Sequence, residues 1–182
     1  HVGLPTNFKA AVFADPAHTD MLRQLEADIA AVTIDGKDVP VKLRVYESLF
    51  VPMAKWSMLL TGNYRCVESD GVRAIRDAVH SDLDSSTQMY GWVDALARQL
   101  GADPADQVPF EKYANAATGL LKPSSAARAI DSGVDRIERV DRLVQMIGRG
   151  LGLQNQQLDE IVAIVDARLA TNASFKKVAN VG

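Results

Sequence analysis

Lys55, Leu59 and Asn63 stand four residues apart in the stretch MAKWSMLLTGNYRC, residues 53–66. Read as a helix of about 3.6 residues per turn, the stretch stacks these three side chains on one stripe. Met53, Trp56, Leu59 and Leu60 imply a largely buried segment, and an ammonium set among such residues needs either a partner or a water-filled cleft. A partly desolvated amine is also a usable general acid near neutrality. The alternative is a lysine that snorkels to water along the edge of an ordinary amphipathic helix. The spacing leaves both open.

The rest of the chain must supply the wall behind that stripe. At 182 residues it is long enough for one well-cored domain with a small appendage, and too short for two full domains. Apolar residues at 47% and charged residues at 24% describe an ordinary globular protein rather than a disordered one. A net charge of -3 argues against a nucleic-acid partner, which would call for a basic face. The longest apolar runs fall well below the roughly 18 residues of a membrane span, so no membrane partner is expected. A single cysteine, Cys66, rules out an internal disulfide framework and fits a reducing, cytoplasmic compartment. His1, His18 and His80 are scattered, and no metal site is expected from them. The opening on His1 rather than methionine points to a processed product, a tag remnant or a fragment of a longer protein.

In chain order, residues 8–14 (FKAAVFA) read as a buried strand bounded by Asp15-Pro16. A helix follows, with Thr19 or Asp20 as cap and Met21, Leu22, Leu25 and Ile29 on its apolar face. Residues 32–34, the Asp35-Gly36 turn signal and residues 39–45 give two short strands. Residues 1–45 are therefore an α/β segment, too small to stand alone. From Tyr46 the pattern becomes helical, with helices expected over 46–64, 69–80, 83–100, 105–121, 125–151 and 156–171 and a loose tail over 171–182. Pro52 kinks the first helix or marks its true start. Met89, Trp92, Val93, Leu96 and Leu100 form the core stripe of the third, which ends at Gly101. Ser124 and Ser125 are candidate N-caps, and Gly148, Gly150 and Gly152 close a helix rather than cradle a phosphate. The expected fold is mainly α, a bundle of about six helices with a short α/β start.

The succession AKWSMLLTGN, DAVHSDLDSSTQMYGWVDALARQLGA and LLKPSSAARAIDSGVDRIERVDRLVQMIGRGLGL resembles the C-terminal helical domain of the ketopantoate reductase family over about residues 46–170, in the same element order. The resemblance implies a helical domain of the 6-phosphogluconate dehydrogenase type and an NADPH-dependent reduction of a 2-oxo acid, with NADP held on an N-terminal Rossmann domain. It gives Lys55 the role of general acid and Asn63 that of a substrate contact. Ser124 and Ser125 match a serine pair that opens the long later helix, with Ser125 as the substrate contact. The family also places a glutamate in that helix. Counting puts Arg136 or Ile137 there, with Asp135 and Glu138 nearby, and puts Leu59 where the family has a further asparagine. Leu59 has no hydrogen-bonding group, and an arginine in place of a carboxylate would favour an anion, so both departures argue against ketopantoate itself. No GxGxxG fingerprint precedes residue 46; residues 1–45 then read as the tail of a Rossmann domain, and this chain alone is expected to bind no cofactor and to be inactive. A homodimer is the further expected partner. Two other readings stand beside this one: a noncatalytic helical module that kept the fold, and a relative of the opine-type dehydrogenases.

Overall fold

The computed structural model describes residues 6–179 of the chain. It is mainly helical, with short strands confined to the N-terminal part, and it divides into two compact units. One holds the chain up to Ala54 together with Ala102–Gln107; the other holds Lys55–Gly101 and the chain from Val108 onward.

In the first unit, strand β1 (Thr6–Ala11) leads through Asp15 into helix α1 (Pro16–Ala31). The Asp15 carboxylate accepts from Ala17 N at 2.8 Å, and Pro16 occupies the first helical turn, where no N–H is required. The cap thus lies upstream of Thr19 and Asp20, and the Thr19 hydroxyl instead bonds the backbone of Phe13. Strands β2 (Thr33–Ile34) and β3 (Lys37–Asp38) form a hairpin. Its two turn residues, Asp35 at φ 52° and Gly36 at φ 72°, are both left-handed, as a two-residue turn of type I′ demands. Strand β4 (Val41–Tyr46) then pairs parallel with β1, from Thr6 opposite Val41 to Ala11 opposite Tyr46. Because Tyr46 completes this strand, the helix expected from residue 46 starts later, as α2 (Phe50–Met53). Pro52 lies within its first turn, where backbone N–H groups have no intrahelical acceptor.

The second unit begins with α3 (Lys55–Met58), continues as a π turn over Leu59–Asn63 and tightens into a 3-10 turn over Tyr64–Cys66. Val67 and Val72 make an antiparallel bridge, so the helix expected over 69–80 shrinks to α4 (Ile75–His80). Helix α5 (Leu83–Gln99) is capped by Asp82, whose carboxylate accepts from Ser85 N. Helix α6 (Phe110–Ala117) is shorter than expected because Pro109 caps it and the preceding turn at Pro104–Asp106 belongs to the first unit. The long helix expected over 125–151 is two helices, α7 (Ser125–Asp131) and α8 (Val140–Gly150). Gly133, at φ 89°, ends α7: its N–H donates to Ile130 O and that of Val134 to Ala129 O, the paired bonds of a Schellman motif. Helix α9 (Gln156–Ala179) runs past residue 171. There Asn172 Nδ2 donates to Ile130 O and Val134 O, so residues 171–179 are helix rather than loose tail; residues 180–182 lie outside the described residues.

The core of this unit joins Leu60, Met89, Val93, Leu96, Ile130, Val144, Leu158 and Val165, all fully or almost fully buried. Of the stripe expected on α5, Met89, Val93 and Leu96 are core and Trp92 is half-buried, whereas Leu100 at the helix end is exposed. A second cluster stacks Tyr90 on Tyr113 with ring centroids 5.7 Å apart, beside Val79 and Ala117. Among the described residues no helix is long and apolar enough to cross a membrane.

Candidate functional site

A cavity of about 300 Å³ in the helical unit is lined by Leu59, Asn63, Tyr64, Ser125, Ala126, Ile137, Glu138 and Val140. Three stretches far apart in sequence build it. The π turn supplies Leu59 and Asn63, the start of α7 supplies Ser125 and Ala126, and the irregular segment after the Gly133 stop supplies Ile137 and Glu138. The lining combines apolar groups with an amide, a hydroxyl and a carboxylate. Such a site can enclose a small polar molecule, with Glu138 accepting from its hydroxyl or amine and Asn63 and Ser125 offering donors to its oxygens.

Two buried hydroxyls lock this arrangement. Ser124 Oγ, 3% exposed, accepts from Ala127 N at 3.1 Å as the cap of α7 and donates to Asn63 O at 2.8 Å, tying the helix start to the π turn. Tyr64 Oη donates to Glu138 O at 2.6 Å and accepts from Val140 N at 3.0 Å, so it pins the backbone on either side of Arg139. Burial, chiefly, pushes the Tyr64 phenol up to about 12, which keeps it a neutral hydrogen-bonding group near neutral pH. Arg139 is held by the fully buried carboxylate of Asp141 at 2.7 and 2.9 Å and by Asp166. Burial alone would lower the Arg139 guanidinium; the hydrogen bonds it donates to the Asp141 and Asp166 carboxylates outweigh this and hold it above the usual arginine range. Its side chain is thereby committed to the helix framework.

Of the residues expected at a substrate site, Asn63, Ser125 and Glu138 share this cavity. Ser124 does not line it, because its hydroxyl is spent on the cap and on Asn63. Arg136 does not line it either: α7 stops at Gly133, helical counting ends there, and Ile137 and Glu138 are the residues on the wall while Arg136 is exposed. Lys55 heads α3, is exposed and is not among the lining residues. Tyr64, Ala126 and Val140 escaped the sequence reading; Tyr64 adjoins Asn63, and only the fold brings its hydroxyl to Glu138. Cys66 is fully buried, its Sγ 3.3 Å from Gly62 O, and burial, chiefly, pushes its thiol up, which disfavours the nucleophilic thiolate. Among the described residues no three or more His, Cys, Asp or Glu side chains gather as a metal site. Comparison with protein-family models, curated proteins and solved structures finds no match to the chain.

Proposed function

We propose that the helical unit is the substrate-binding part of a ketopantoate-reductase-like oxidoreductase that reduces a 2-oxo acid or a related carbonyl with hydride from NADPH. In this reading NADP sits on a Rossmann domain of the same protein and the present chain alone does not turn over. The observation that carries the reading is the meeting of Asn63, Ser125 and Glu138 on one cavity. These are the amide, hydroxyl and carboxylate that the resemblance assigns to substrate, and the break after α7 returns a glutamate to the site where helical counting gave an arginine or an isoleucine. In the reaction, hydride would pass from the nicotinamide to the carbonyl carbon and a proton from Lys55 to the oxygen. Glu138 would accept from a substrate hydroxyl.

A second reading, a noncatalytic binding module that keeps the cavity without the chemistry, draws on the exposure of Lys55 outside the lining and on Leu59 within it. Both readings require a ligand in the cavity. Calorimetric titration of this chain with a panel of 2-oxo and 2-hydroxy acids should show binding that weakens about tenfold in Asn63→Ala and in Glu138→Gln. Binding that neither substitution alters would sink both. The readings separate on a Rossmann-bearing form of the protein, where Lys55→Ala abolishes NADPH oxidation if the lysine is the acid and a wild-type protein without activity leaves only the module.

A further inference from the structure

A second cleft, of about 160 Å³, opens elsewhere on the helical unit; its lining includes Arg65, Arg73, Ser85, Gln157 and Glu160 together with apolar residues such as Ile161. Arg65 comes from the 3-10 turn, Arg73 from the strand-like segment after the Val67–Val72 bridge, Ser85 from the first turn of α5, and the others from α9. The Arg65 guanidinium is half-buried and, among the described residues, bonds only hydroxyls, Nη1 to Ser86 Oγ at 2.6 Å and Nη2 to Ser85 Oγ at 3.4 Å. Among the described residues no carboxylate forms an ion pair with it. Burial and then the charge of Arg73 lower its pKa, outweighing the opposing pull of the nearby Asp82 carboxylate. Arg73 uses its Nε on Arg65 O at 2.9 Å, with the half-exposed Glu68 carboxylate 3.7 Å from that same nitrogen. Its Nη hydrogens have no acceptor among the described residues. Ser85 Oγ accepts from Arg65 and from Gln157 Nε2 at 3.0 Å, which leaves its own proton available.

Two guanidiniums each carry five N–H donors in a planar fork suited to an oxyanion, and burying like charges side by side is costly until an anion joins them. We propose that this cleft binds a phosphate, free or as a small monoester, between Arg65 and Arg73 with the Ser85 hydroxyl as third donor. Three donor groups on three separate elements suit a tetrahedral dianion better than the two coplanar oxygens of a carboxylate. Glu160 stands at the cleft, its carboxylate accepting from Gln156 Nε2 at 3.0 Å, and with Glu68 it tempers the positive field. The expected affinity is accordingly in the millimolar range. This proposal is independent of the reductase reading, since the two cavities share no lining residue.

The test is titration of the full chain with inorganic phosphate and, separately, with glycerol phosphate at constant ionic strength, followed by phosphorus NMR line width and by melting temperature. Saturable binding is expected, with sulfate competing and acetate far weaker. The tighter of the two phosphates identifies the free anion or the monoester as the ligand. Arg73→Gln should weaken binding about tenfold and Ser85→Ala about threefold, while the exposed Arg149→Gln leaves it unchanged. Ser85 offers only its hydroxyl, so Ser85→Ala decides the matter if Arg73→Gln fails to fold. Non-saturating shifts equal in all variants, acetate binding as tightly as phosphate, or unaltered affinity in Ser85→Ala and in a folded Arg73→Gln would overturn the proposal.

Discussion

Tyr64 shows how much one buried hydroxyl can settle. Its two bonds, to Glu138 O and from Val140 N, fix the segment that carries Glu138, and its ring belongs to the main core. Tyr64, Tyr90 and Tyr113 are all buried, and burial, chiefly, raises each phenol; for Tyr64 and Tyr90 the rise is from 10.0 to about 12. A folded-state value above the unfolded one means that the contribution to stability is complete below pH 10 and is lost as pH climbs through 12. For Tyr64 and Tyr90 the loss is roughly 2 kcal/mol each. Tyrosinate absorbance should therefore rise together with the collapse of helical circular dichroism; tyrosinate that titrates near 10 with the helix signal intact would refute the coupling. The residue scale also marks what the sequence could carry. Ser124 was legible as a candidate cap because capping is local chemistry between a side chain and an N–H two or three residues on. Tyr64 was not legible, since its partners lie more than seventy positions away.

At the scale of elements, the main departure from the expected helices is the π turn Leu59–Asn63, closed by Tyr64 N–H on Leu59 O. Such turns are rare and leave no hydrophobic period of their own, so the pattern around Lys55, Leu59 and Asn63 reads as plain α. Gly62 lies inside it at a close approach: a Cβ there would sit 2.0 Å from Tyr113 Oη and 3.2 Å from Ile75 Cγ2. The hydroxyl cannot yield freely, because it donates to Met58 O at 3.1 Å. Gly62→Ala should cost about 3 kcal/mol in urea denaturation, and Tyr113→Phe in the same chain should restore part of it, because the nearest clashing atom is gone. Penalties that simply add would show that the clash is not the cause. The split of the helix expected over 125–151 has a different origin. The apolar spacing of Ile130, Val134, Ile137, Val140 and Val144 runs straight through the break, and the warning lay in Ser132-Gly133, a stop signal inside a good period. That stop is what brings Glu138 to the cavity, so the same misread residue pair concealed both an element boundary and a site residue.

At the scale of the whole molecule, the two units differ in how well they bury themselves. The helical unit has a continuous apolar core, whereas α1 has no buried residue and the sheet beside it is a single parallel pair. Phe8, Phe13, Met21, Leu25, Val32 and Ile34 are all exposed, and Leu43 is the buried residue of β4. Parallel strands ordinarily lie within sheets covered on both faces, and two strands with one helix cannot supply that cover. The apolar run that made residues 8–14 readable as a buried strand and the alternation over 39–45 report how a chain pairs, not whether anything covers it; the strand ends at Ala11 and none of residues 8–14 is buried, a correction that the sequence did not announce. Protection should follow burial. In hydrogen exchange under native conditions, amides of β1, α1 and β4 should open by local unfolding and exchange at least about a hundredfold faster than those of α5, whose inner face carries Met89, Val93 and Leu96. Denaturant should then separate two transitions, the first confined to the α/β unit and the second carrying most of the helix signal. Equal protection in β4 and α5, with one transition, would mean that the α/β unit is stabilised as strongly as the helical core. Under the reductase reading, adding the Rossmann domain should slow exchange in β1 and β4 specifically, because a completed parallel sheet would cover the apolar faces that this chain leaves open.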